Sequence, residues 1–190
     1  MDRKKYYKML LLAIVTVLLS ACDRAEESAK PLSISAVTNE TLLNSSAKTD
    51  GWYMYGGSYE NWRHSSLKQI NRRNVGSLVP KWIFQPGIKG QLSGSPLVID
   101  GIMYLSAAYN NLWALNAKTG EPIWHYERDL PSDLRICCGP ANRGVSVAGS
   151  KLFMATLDAY LIAMDRETGE VLWEVQLADH QRGYSGTSAP

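Results

Sequence analysis

The chain has 190 residues, with 20 Lys or Arg against 18 Asp or Glu and a formal net charge of +2. Four of those basic side chains and one of the acids fall within residues 1–21, so the remainder carries about −1 and has no net positive charge with which to attract nucleic acid. Only three cysteines are present, at 22, 137 and 138, too few for a disulfide framework.

In chain order, residues 1–21 have the three parts of a secretory signal. Arg3, Lys4, Lys5 and Lys8 precede an apolar run from Met9 to Leu19, and small residues follow. The run is too short to span a bilayer stably. It ends in Leu19-Ser20-Ala21-Cys22, which resembles the bacterial lipobox, whose cysteine is acylated and becomes the new N-terminus. That resemblance implies a lipid anchor on Cys22 and a periplasmic location, and Asp23 matches the inner-membrane retention signal of enterobacterial lipoproteins. A plain cleaved signal, or a short uncleaved anchor, with a chance cysteine is the alternative. Residues 22–50 are rich in Ser, Thr, Ala and Asn, lack aromatic side chains and show no sustained period, which predicts a flexible tether.

At Gly51 the composition changes, with Trp52, Tyr53, Tyr55, Tyr59 and Trp62 arriving together, and a folded domain is expected over 51–190. A strand is expected around Lys81 to Phe84. The strongest regularity is a repeat: the stretch from Leu112 to Trp124 returns 49 residues later from Leu161 to Trp173, with Thr119-Gly120-Glu121 matched by Thr168-Gly169-Glu170. Upstream of each copy lies a second hairpin pattern, turning at Asp100-Gly101 and at Gly149-Ser150, dipeptides suited to tight turns. No apolar stripe at helical spacing is present in either copy.

Each unit therefore holds four short strands and is too small to bury its own apolar faces, which predicts an all-β fold, a β-propeller of four-stranded blades. Trp82, Trp124 and Trp173 follow the repeat and are assigned to packing between blades. Two recognisable blades do not close a ring, so the chain reads as the first blades of a longer propeller, with assembly from several copies as the alternative. His64, His125 and His180 lack metal-ligand spacing and read as structural or solvent-facing.

Between the copies runs Ile136-Cys137-Cys138-Gly139-Pro140-Ala141-Asn142-Arg143-Gly144. Adjacent Cα atoms lie about 3.8 Å apart, below the roughly 4.4 Å at which ordinary disulfide spans begin. Cys137 and Cys138 therefore form either a strained, readily reduced ring, which an oxidising compartment favours, or two free thiols.

With two blades, Tyr55-Gly56-Gly57, Asn61-Trp62-Arg63-His64-Ser65, Gln69-Ile70-Asn71 and the run from Cys137 to Gly144, residues 51–190 resemble the pyrroloquinoline quinone (PQQ) dependent alcohol dehydrogenases, the methanol and ethanol type quinoproteins. The resemblance implies an eight-bladed propeller and a disulfide between Cys137 and Cys138 packed on one face of PQQ. It further implies that Arg143 pairs with a cofactor carboxylate and that Thr187, in Gly183-Tyr184-Ser185-Gly186-Thr187-Ser188-Ala189-Pro190, also binds the cofactor. In the family a Ca²⁺ or lanthanide ion polarises the quinone and an aspartate takes the alcohol's proton. Hydride passes to the quinone, and electrons leave to a cytochrome c or membrane quinone. The metal ligands and that aspartate are expected beyond Pro190, so no catalytic residue is assigned within this chain. Where the family usually carries a glutamate near the quinone, Leu92 or Ser93 stands here. A non-enzymatic propeller lipoprotein acting as an envelope scaffold, and an inactive remnant of a dehydrogenase, share the signal and the blades and remain alternatives.

Overall fold

The computed structural model describes residues 34–190, so the signal, Cys22 and Asp23 lie outside the described residues. Among the described residues, eight strands make two antiparallel meanders. β1 (Leu97–Ile99), β2 (Ile102–Ala107), β3 (Asn111–Asn116) and β4 (Pro122–Tyr126) form the first sheet in that order. β5 (Ser146–Ala148), β6 (Lys151–Ala155), β7 (Tyr160–Asp165) and β8 (Val171–Gln176) form the second. These are the two expected blades, and the repeat extends to their irregularities. A register shift falls between Ala114 and Leu115 in one sheet and between Ala163 and Met164, at the same place, in the other.

Turn chemistry explains the boundaries. Asp100 and Gly101 both take positive φ, 53° and 75°, as the tightest hairpins require. In the β3–β4 turn the side-chain oxygen of Asn116 accepts from the Lys118 and Thr119 amides, and Asp165 does the same for Glu167 and Thr168 in the β7–β8 turn. Each turn closes on a glycine with φ near +78°, Gly120 or Gly169. The glycine has a second cause: a Cβ on Gly120 would stand 2.5 Å from the Trp82 ring, and one on Gly169 2.7 Å from the Trp124 ring. Each indole thus lies flat over the turn of the following repeat, and its N–H donates to a carbonyl there, Ala117 at 3.1 Å or Arg166 at 3.2 Å. Trp82 and Trp124 pack as expected. Trp173, with no further repeat to cover among the described residues, is 42% exposed.

One apolar core is shared by the two sheets. Leu97, Ile99, Tyr104 and Leu112 of the first meet Val147, Leu152, Met154, Ile162 and Met164 of the second, all buried. Neither sheet alone has a partner for these faces, so burial drives the pairing.

Two expectations change. Residues 34–50 are not a free tether: Val37 exchanges backbone hydrogen bonds of 2.9 and 2.8 Å with Gly149, Leu42 enters the shared core, and α1 (Asn39–Leu43) starts on the capping hydroxyl of Thr38. The polar composition hid two apolar contacts that are enough to dock the segment. The segment around Lys81 to Phe84 forms no strand, because it joins no ladder. Ile83 is 79% exposed, while Trp82 and Phe84 turn sideways onto the first sheet.

The docked segment meets the blades at Arg166, whose side chain is wholly buried. Its Nη2 donates to the Asp100 carboxylate and to the Ser35 carbonyl, each at 2.8 Å, and the Ser35 amide donates to the same carboxylate at 2.9 Å. The Arg166 carbonyl accepts from the hydroxyl of Tyr104, a phenol that burial pushes well above its ordinary range. A buried guanidinium is tolerable only while its counter-charge is present. Asp100→Asn, which keeps a residue suited to positive φ but removes the charge, is expected to lower unfolding free energy by about 2–3 kcal/mol in urea titration, and a loss below about 0.5 kcal/mol would contradict the account.

Candidate functional site

The β1–β2, β5–β6 and β7–β8 turns and the docked segment 34–50 occupy one end of the blades. The long connection from β4 to β5 crosses the other end, and it carries the adjacent cysteines. Its path is set from three sides. Near its start, Arg128 donates through Nε and Nη2 to Asp158 at 2.8 Å, and through Nη1 to Glu174 at 2.9 Å, with its guanidinium 4.9 Å above the Tyr160 ring. Burial is the largest single influence on the Asp158 carboxyl and would raise it, but the hydrogen bonds and charge of Arg128, together with the Thr156 hydroxyl, hold the group below the usual carboxylate range.

Further along, the Pro140 carbonyl accepts from the Tyr109 amide at 2.9 Å, with Tyr109 at φ 61°. Asn142 is wholly buried. Its amide nitrogen donates to Asn110 Oδ1 at 3.2 Å and to the Ala155 carbonyl at 3.1 Å, and its side-chain oxygen accepts from the Gly144 amide at 3.1 Å. Asn142 thus pins the connection to the end of both sheets. Its neighbour Arg143 is turned outward.

Arg143 meets the segment that follows β8. Its amide donates to the Thr187 carbonyl at 2.9 Å, and Nη1 donates to the Thr187 hydroxyl at 2.6 Å. Cys137, Cys138, Arg143 and Thr187, the four residues singled out from the sequence, line one cleft of about 480 Å³ together with Arg135 and Ser185. The two sulfurs are 2.7 Å apart, exposed and unjoined, and the hydrogen bond shared with Cys137 raises the Cys138 thiol above its ordinary value. Arg143 makes no ion pair among the described residues, so its charge is available to a ligand.

Leu92 is 56% exposed, and neither it nor Ser93 lines this cleft. The nearby backbone does approach it. A Cβ on Gly90 would collide with Ala108 and come within 3.8 Å of Pro140, and the Ser95 amide donates to the Arg143 carbonyl at 3.2 Å. His125 is structural, stacked at 4.2 Å on Trp113 and 2.8 Å from Asn111 Oδ1.

Some participants were not assigned from the sequence. Asn142 stands in the sequence only as one residue of the run from Cys137 to Gly144. Tyr55 borders Arg143 from a second cleft of about 590 Å³, with the Arg63 guanidinium 4.7 Å over its ring, a neighbour that holds the phenol below its usual range. Their signal is spatial, since Asn142 meets Asn110 and Ala155, and Tyr55 meets Arg143, only once the chain is folded.

Paired four-stranded meanders, each locked to the next by an indole over a glycine turn, define a β-propeller protein whose inter-blade connection carries adjacent cysteines. Residues 52–174 match the family model described as PQQ, glucose/ethanol/alcohol dehydrogenase, beta-propeller domain, and the chain belongs to that family. It is 37% identical over 190 residues to a 1-butanol dehydrogenase (quinone) of Thauera butanivorans, covering 99% of this chain and 30% of that protein. It is 41% identical over 156 residues to a quinoprotein ethanol dehydrogenase of Pseudomonas aeruginosa, covering 81% of this chain and 25% of that protein. Among solved structures, a europium-containing methanol dehydrogenase superposes with a TM-score of 0.75 at 37% identity, over 80% of this chain and 27% of that one. The chain thus spans under a third of the length of these relatives.

Proposed function

We propose that this chain supplies the N-terminal blades and one wall of the cofactor site of a PQQ-dependent alcohol dehydrogenase, which oxidises alcohols to aldehydes and passes electrons to a cytochrome c or a quinone. The observation that carries the reading is the convergence of Cys137, Cys138, Arg143 and Thr187 on one cleft, although 50 residues separate the first from the last. The cleft's volume of about 480 Å³ lies within the roughly 300–1,000 Å³ of small-molecule sites.

The donor set fits the group. PQQ is a flat ortho-quinone with three carboxylates, and when bound it accepts the two electrons taken from the alcohol. Arg143 supplies an unpaired planar cation for a carboxylate, a match that lysine would not reproduce. Thr187 accepts from Arg143 and so fixes the direction of the guanidinium. Cys137 and Cys138 offer an exposed, polarizable surface for the flat ring. By the same reading the Ca²⁺ or lanthanide ion and the catalytic aspartate belong to blades outside this chain. On this reading Cys137 and Cys138, unjoined in the structure described above, close a disulfide in the oxidising periplasm, and Cys22 carries the lipid that holds the protein at the membrane, with Asp23 favouring the inner one.

Titration of the protein from its native host with PQQ, followed by tryptophan fluorescence, tests the reading. Saturable quenching is expected, and Arg143→Ala is expected to weaken binding by about tenfold or more. Native protein that binds no PQQ, or binds it equally well without Arg143, would overturn it. Intact-mass spectrometry of the same protein is expected to show a gain of about 2 Da on reduction, localised to Cys137 and Cys138, and a lipid mass on Cys22. Free thiols and an unmodified residue 22 would refute those two assignments.

A further inference from the structure

The cleft has two walls, and they are joined at both ends. One wall is the β4–β5 connection from Asp133 to Arg143, and the other is the segment from His180 to Thr187. At one end Arg143 meets Thr187, as described above. At the other, His180 Nε2 lies 3.4 Å from Asp133 Oδ1, and Gln181 Nε2 donates to Asp133 Oδ2 at 3.1 Å. Cys137 and Cys138 lie between these two junctions on the first wall, and Gly183 and Ser185 lie between them on the second.

The second junction carries unusual weight because little else holds this stretch. Among the described residues, the hydrogen bonds to the Asp133 carboxylate are the only ones that tie residues 129–139 to another part of the molecule. The partners on the other wall are themselves fixed. His180–Arg182 is a single 3-10 turn, capped at its start by Asp179, which accepts from the Gln181 amide at 2.9 Å, and closed by Gly183 at φ 87°. That turn aims two donors at one carboxylate. His180 is only 16% exposed in its side chain, and its ring nitrogen together with Gln181 holds the Asp133 carboxyl below the usual carboxylate range.

We infer that Asp133, His180 and Gln181 form a clasp that holds the loop bearing Cys137 and Cys138 against the segment bearing Thr187, and so positions the two walls of the cleft for the cofactor. The inference rests on the PQQ reading above. These are positioning residues, since none of them lines the cleft. Without the carboxylate the loop keeps its ends, at Arg128 and at Pro140, but loses its middle support. The cysteines then sample positions away from the bound ring, and the cofactor leaves faster.

The test compares native-host protein with Asp133→Ala, His180→Ala and the double variant, reading amide hydrogen exchange in cofactor-free protein and the rate of PQQ release. Asp133→Ala is expected to speed exchange across residues 134–139 by about tenfold while leaving β2 and β7 unchanged, because the opening is local. It is expected to speed PQQ release by about fivefold, the scale of an exposed ion pair plus a hydrogen bond, with the double variant no faster than Asp133→Ala. Asp133→Asn, which keeps an acceptor for Gln181, is expected to recover part of the loss. Unchanged loop exchange, or unchanged release from a protein that binds PQQ normally, overturns the clasp. Native protein that binds no PQQ overturns the functional reading instead, and the positioning role with it.

Discussion

Asn142 sets the geometry on which the functional end depends. A side-chain amide with no exposed surface must be satisfied from within, and this one draws its partners from Asn110 in the β2–β3 turn, from Ala155 at the end of β6, and from Gly144 in its own connection. Its carbonyl also accepts from the Ser106 hydroxyl at 3.3 Å. Only one path of the β4–β5 connection meets all of these at once. Because the path is fixed at residue 142, the next residue is fixed too, and Arg143 projects to the exposed side, where Thr187 receives it.

The two ends of the blades solve different problems. At the end held by residues 34–50, charge is buried: Arg166, Asp100 and Ser35 close a compact set of hydrogen bonds between both sheets and the N-terminal segment. Such a set specifies an arrangement more than it adds stability, because desolvation offsets much of the attraction. At the opposite end the charge of Arg143 lies exposed on an open cleft, where a ligand can reach it. The shared apolar core between the ends keeps them at a constant separation. A guanidinium turned outward there can bind an anion without paying to break an existing ion pair.

What could be read from the sequence was what is local or periodic. The 49-residue repeat disclosed the strands, the Asn116 and Asp165 turns and the glycines beneath Trp82 and Trp124, because each depends on neighbours a few residues away or on a copy of itself. The four cleft residues were legible through a resemblance, and their convergence needed the structure. The Arg166 pair could not be read, since Asp100 and Ser35 lie 66 and 131 residues before it and the corresponding position in the first copy is Ala117. Residues 34–50 misled for a related reason: a polar stretch with a single buried leucine shows no period, yet Val37 and Leu42 suffice once a sheet edge and a core lie beside them. The segment at 81–84 has strand-like composition but no ladder partner, and composition cannot supply one.

The central claim is that the cleft between the cysteine loop and Thr187 holds the quinone. A crystal structure of the native-host protein with PQQ tests it most directly. The account predicts the ring stacked within about 4 Å of the Cys137 and Cys138 sulfurs, with a carboxylate about 2.8 Å from the Arg143 guanidinium. Quinone bound elsewhere on the blades, with Arg143 still joined to Thr187 alone, would contradict it.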